Sequence, residues 1–177
     1  IYGANGDSGG RISAGAKRTQ AAVDISGRDF RFRPDTGDFE AVEGQTQFGR
    51  HRDDWGNWFG NNNPNWLWHY HVPERYLVRN PHLAVKSLTR MLANYPESTR
   101  LYPASRTRQR FNDHHQFNHV TSANSAMPYR DDLFGPEFET SVFISDPVHN
   151  LVHREVLEPN GVTFTSRRAV DEAQSEF

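Results

Sequence analysis

Two stretches of this 177-residue chain repeat one another, and that repetition limits the fold more than any other feature. Phe48 to Phe59 reads FGRHRDDWGNWF and Ala126 to Phe138 reads AMPYRDDLFGPEF. Both carry an Arg-Asp-Asp unit, at Arg52-Asp53-Asp54 and Arg130-Asp131-Asp132, 78 residues apart. Each runs into a strand end and then a polar loop, Asn61-Asn62-Asn63-Pro64-Asn65 after the first and Asp146-Pro147-Val148-His149-Asn150 after the second. A recurring strand–turn–strand–loop unit cannot bury its apolar face alone, so copies stack, and radial stacking makes a propeller. The spacing exceeds a usual blade of about 40–50 residues. The surplus reads as an insertion over 66–120, which holds the basic stretch Arg100 to Arg110.

The rest of the chain agrees with an all-β reading. Short β runs cut by turns cover Ala21 to Ile25, Phe30 to Arg33 and Phe39 to Val42, with Pro34-Asp35-Thr36-Gly37 as a hairpin turn. Val142 to Ser145, Leu151 to Leu157 and Val162 to Ser166 are further runs, and Glu158-Pro159-Asn160-Gly161 reads as the turn joining the last two. Trp66, Trp68 and Tyr70 alternate with His69 and His71 like a half-buried strand. The strongest helical spacing is over Pro81 to Asn94, where Leu83, Val85, Leu88, Met91 and Leu92 recur and Pro81 suits a first turn.

Composition then narrows the function classes. Hydrophobic residues are 35% and aromatics 12%, which fits a folded chain with a thin core and much ordered polar loop. No apolar run is long enough to span a membrane as a helix. A net charge of −2 gives no general attraction to nucleic acid. Cysteine is absent, so disulfides, thiolate-ligated zinc, thiol catalysis and covalent haem attachment are excluded from this stretch. A strand-like start at Ile1-Tyr2-Gly3, without Met, suggests a piece of a longer protein.

Gln47 to Asn63 (QFGRHRDDWGNWFGNNN) resembles the blade signature of six-bladed quinoprotein sugar-dehydrogenase-like propellers. Gly3-Ala4-Asn5-Gly6-Asp7 is similar to the strand end and Gly-Asp loop of another blade, and Thr121 to Gly161 to a third. The longer stretches Arg28 to Pro34, Asp53 to Asn62, Tyr129 to Pro136 and Asn150 to Glu155 resemble the membrane-bound dehydrogenase family of planctomycete-type bacteria. In that family such a propeller precedes a haem-binding domain. The resemblance implies about two and a half four-stranded blades of a larger, six-bladed β-propeller. It implies a periplasmic or extracellular dehydrogenase that oxidises a sugar or alcohol with pyrroloquinoline quinone. Electrons would pass to a c-type cytochrome domain outside this chain, where the haem would sit. The expected partners are the remainder of the propeller, that cytochrome domain and the substrate. The alternative is a non-catalytic propeller that binds polysaccharide or a protein.

Blade geometry turns this into residues. Loops after second strands and loops entering first strands open on one end of the channel. That rule gathers Asp7, Gln45, Thr46, Asn61, Asn62, Asn63, Asn124, Asp146 and His149 on one end. Asp7 and His149 are the candidate catalytic residues, Asp7 to orient a base and His149 as a proton acceptor. Gln45, Thr46, Arg50, Asn61, Asn62, Asn63, Asn124 and Asp146 are the candidate substrate or cofactor contacts. The asparagine run offers amides that suit a sugar hydroxyl, a quinone carboxylate or calcium. Quinoproteins of this kind usually place an Arg-Asn pair where Gln45 and Thr46 stand, so Arg50 or the insertion would have to supply the cation. The Arg-Asp-Asp units fall on the opposite end and read as turn-forming. Gly6-Asp7-Ser8-Gly9-Gly10 copies a serine-protease motif, but no His precedes it to act as base. His115 with His119, and His149 with His153, have a zinc-like spacing that requires a helix neither segment suggests.

Overall fold

A computed structural model describes residues 1–15, 20–80, 82–93, 100–104 and 118–177. Its order is β1 (Tyr2–Gly3), β2 (Arg11–Ile12), β3 (Val23–Asp24), β4 (Asp29–Phe32), β5 (Phe39–Val42), β6 (Arg50–Arg52), β7 (Trp58–Asn62), β8 (Asn65–Tyr70), the short helix α1 (Glu74–Leu77), β9 (Thr89–Met91), β10 (Asn124–Pro128), β11 (Ser141–Asp146), β12 (Leu151–Asn160) and β13 (Thr163–Arg168). The chain is all-β, as its turn-punctuated runs imply, and every pairing is antiparallel. An N-terminal sheet is ordered β1-β4-β5, and β2 with β3 forms a separate hairpin. A central sheet is the meander β6-β7-β8-β9, and a C-terminal sheet is the meander β10-β11-β12-β13. Among the described residues no sheet closes on itself.

The Arg-Asp-Asp repeat marks equivalent places in the two meanders, just past their first strands. Asp53 accepts from the backbone N–H of Trp55 and Asn57 and from the Asn57 side chain, which closes the β6–β7 turn. Asp131 does the same for Asp132 and Leu133. Arg130 then donates to Asp54, so the second unit reaches across to the first. The structural role expected of these units is the one they have.

β10 packs against β6 and β7, and the core lies between these two sheets. Phe59, Trp66 and Leu67 from the central sheet meet Ala126, Val142, Ile144 and Leu157 from the C-terminal one. Alternation puts Val142, Ile144 and Asp146 of β11 on the buried face. β8 departs from alternation: Trp66 to Tyr70 are all buried, because both its faces are covered.

Three local expectations change. Residues 82–93 are not helical: Leu83 and Val85 are exposed, while β9 pairs with β8 through Met91, Arg90 and Thr89. A sheet edge with open hydrogen bonds outcompetes a loosely helical spacing. Pro81 and Asn94 lie outside the described residues. The stretch read as an insertion therefore contributes two strands, β8 and β9, to the central sheet. Finally, Asn61 to Asn65 is no open loop, since Asn61 and Asn62 end β7, Asn65 starts β8, and only Asn63 and Pro64 turn.

Candidate functional site

The polar loops at one end of the sheets are joined by an unbroken run of hydrogen bonds. Gly6 N–H donates to Thr46 O at 2.8 Å. Gln47 N–H donates to Asn61 O at 2.9 Å, and Ala123 N–H to Asn63 O at 3.1 Å. Side chains reinforce the path. Asp7 accepts from Gln45 Nε2 at 2.7 Å and from Gln47 Nε2 at 3.2 Å. Gln47 Oε1 in turn accepts Asn63 N–H at 2.8 Å. Beyond Ala123, Ser145 Oγ donates to Asn124 Oδ1 at 2.6 Å, and Thr121 N–H lies 3.4 Å from Asp146 Oδ2. The sequence-predicted loops are thus brought together as a ladder that runs from Asp7 to Asp146. Gln47 is its central link; the sequence places it in the loop entering a first strand but not among the candidate contacts.

The ladder's residues differ in what they can touch. Asp7 and Gln45 are exposed, so a carboxylate held by two neutral amides faces solvent. Asn62 and Asn63 are half-buried, and Asn62 Oδ1 accepts from Asn65 Nδ2 at 2.7 Å. Asn61 is wholly buried, and neither atom of its amide has a hydrogen-bond partner among the described residues. Asp146 is also wholly buried and closes its turn by accepting Val148 N–H and His149 N–H. His149 Nδ1 lies 3.2 Å from Asp146 Oδ1, with the ring only 7% exposed. Gln45 and Asn62 further line an open cleft of about 450 Å³ together with Arg28, Glu43, Trp68 and Glu74. Arg28 and Glu74 are ion-paired across it.

Thr46 and Arg50 have internal partners instead. Both belong to a buried network between the N-terminal and central sheets. Asp29, fully buried, accepts Thr46 N–H at 2.8 Å, Thr46 Oγ1 at 2.5 Å, Tyr70 OH at 3.1 Å and Arg50 Nη1 at 3.3 Å. Arg50 also pairs with Glu43 Oε1 at 3.0 Å and lies 3.8 Å above the Tyr70 ring. Burial, and then the Asp29 carboxylate, push the Tyr70 hydroxyl well above its usual range. Gly44 is fixed by this network: at φ +114°, a Cβ would sit 2.5 Å from both Asp29 Oδ2 and Tyr70 Oη.

A second buried cluster surrounds His153, whose carboxylate partners no motif in the sequence names. His153 is wholly buried, stacked on Trp66 at 4.3 Å, with Nδ1 at 2.8 Å from Glu176 Oε2 and Nε2 at 2.8 Å from Glu155 Oε1. Only the alternation of His153, Glu155 and Leu157 along one strand face hinted at it. His115 and the stretch 105–110 lie outside the described residues.

These contacts bear on the implied cofactor. A quinone carboxylate calls for a cation. At the expected positions stand an amide, a buried hydroxyl and an arginine whose charge Asp29 and Glu43 already match. The described residues of this end therefore do not fit the quinone. Among them, no three His, Asp or Glu side chains are arranged to hold a metal ion.

No curated protein and no solved structure matches the chain. A family model described as a domain of unknown function, DUF7133, matches residues 1–177, and the chain belongs to that family.

Proposed function

We propose that this chain is part of an extracytoplasmic β-propeller of the sugar-dehydrogenase-like kind, and that it presents a polar wall to a sugar or alcohol. The observation that carries this reading is the Asp7 carboxylate, exposed and fixed by Gln45 and Gln47 at one end of a loop ladder. Two successive four-stranded meanders stacked through their inner strands support blade-like packing. In this role Asp7 accepts a hydroxyl hydrogen bond or orients a base, and the amides of Asn62 and Asn63 hold neighbouring hydroxyls. Oxidation and transfer of electrons to a c-type cytochrome module belong to the same proposal. The cation that a quinone requires would come from outside these residues.

A second reading, a propeller that binds polysaccharide without oxidising it, is favoured by the internal pairing of Arg50. One experiment separates them: quinone titration and dye reduction by the full-length protein with a panel of sugars and alcohols. Quinone uptake with dye reduction, lost in Asp7→Asn, supports the dehydrogenase. Saccharide binding with neither uptake nor reduction supports the binder and sinks the oxidative reading.

A further inference from the structure

The residues after β13 fold back over the C-terminal sheet, and what holds them there is chemically unusual. Segment 169–177 runs past the edge of β12, so that Glu176 reaches His153 on the core face while Phe177 reaches Phe143 on the other. Phe177 packs on Phe143 with ring centroids 4.8 Å apart, and also touches Phe134 and Phe138. Phe177 N–H donates to Val152 O. Arg154, on the same face, lies over Phe138 and pairs with Asp171 and Glu172. The segment is a strap whose last ring, Phe177, covers part of an aromatic face.

The strap is pinned near its end by Glu176. One carboxylate oxygen takes Arg168 Nη2 at 2.8 Å and Tyr102 N–H at 2.9 Å. The other takes His153 Nδ1 at 2.8 Å, and the far side of that ring meets Glu155 Oε1 at the same distance. A carboxylate only accepts, so two carboxylates on the two ring nitrogens call for a ring that donates from both, which is the imidazolium. Among the described residues, the cations His153 and Arg168 then stand beside the carboxylates of Glu155 and Glu176. Without the ring proton, a fully buried carboxylate oxygen would face a bare nitrogen lone pair.

We propose that His153 is a proton-operated latch, which keeps the strap 169–177 closed over the aromatic face while its ring donates from both nitrogens and releases it when the proton leaves. Among the described residues, the groups that face the ring are Glu155 from its own strand, Arg168 from β13, and Glu172 and Glu176 from the strap; Trp66 of β8 covers one side. Burial works against the ring's proton, but the hydrogen bonds from Glu155 and Glu176 outweigh it and raise its affinity above the ordinary. Burial likewise raises Glu176, and bonds from His153 and Arg168 more than offset this, so the carboxylate stays ionised into acid. The latch is therefore fully set below the ordinary histidine range and opens as pH rises through the raised value. Opening withdraws the Phe177 ring from Phe138 and Phe143. This inference stands apart from the redox reading.

The test is amide hydrogen exchange on the whole chain between about pH 6 and pH 9, corrected for the intrinsic pH dependence of exchange. Residues 171–177 should lose protection about tenfold or more across that range, while β11 and β12 keep theirs. Glu176→Gln should be open already at the acid end and show no step. His153→Gln, if it folds, should also be flat. A strap whose corrected exchange does not change with pH overturns the latch. So does a step that persists in Glu176→Gln, or one in which β11 and β12 open with the strap.

Discussion

At the residue scale, local chemistry was readable and long-range pairing was not. Asp53 and Asp131 show their turn-closing role in the sequence, because an Asp ahead of backbone donors can do little else. Asp29, Tyr70 and His153 gave no such signal. Asp29 meets Tyr70 across 41 positions, and no local pattern announces a partner so distant. His69 lies between these extremes: its place on a strand was legible, but not that both faces of that strand are buried. It is 3% exposed, sits 5.1 Å from the Phe164 ring, and shares a hydrogen bond with Thr163 at 2.9 Å. Burial, and secondarily His71, depress it to about 4. A depressed histidine stabilises the fold above its unfolded value, and that contribution drains away as pH falls from about 6.5 toward 4. We expect a His69 ring titration near 4 by NMR, and an acid loss of stability on the order of 3 kcal/mol between those limits. A ring that titrates near 6.5 would show that water reaches it.

At the element scale, strands with sharp turns were legible and boundaries set by partners were not. Phe39–Val42 follows directly from its short apolar-rich run and the turn before it. β12 runs past its expected end at Leu157, because Glu158 to Asn160 extend beyond β11 and pair with β13. Pro159 is tolerated there because the side of its missing N–H has no neighbouring strand. The turn moves accordingly, to Gly161 and Val162, between the paired Asn160 and Thr163. Gly161 has φ +64°, the first position of a two-residue hairpin that requires positive φ. Gly161→Ala has open space around its new methyl, so its cost is purely conformational, about 1–2 kcal/mol. Urea unfolding should show that loss with an unchanged slope. A neutral result would mean the turn has re-formed with the register shifted.

For the whole molecule, the two sheet junctions rest on different physics. The central and C-terminal sheets share an apolar core, whereas the N-terminal and central sheets meet through the Asp29–Thr46–Tyr70–Arg50–Glu43 network. The low hydrophobic content foretold a thin core but not that a charged cluster would take its place at one junction. The same cluster explains why Thr46 and Arg50, sensible ligand contacts by sequence, face inward. A buried network of this kind is strong only while complete, because removing the cation leaves the wholly buried Asp29 carboxylate without its counter-charge. Arg50→Met keeps the volume and removes the charge, and should cost about 3–5 kcal/mol. The damage should be confined to one junction. Amides of β4 and β5 should lose exchange protection at neutral pH, while those of β11 and β12 keep it, since their core does not involve Arg50. Adding Asp29→Asn should restore part of the loss, because it removes one stranded charge and keeps an acceptor oxygen for the Thr46 N–H. If the single variant instead opened all the sheets together, the junctions would be one cooperative unit, and the division of labour drawn between them would be wrong.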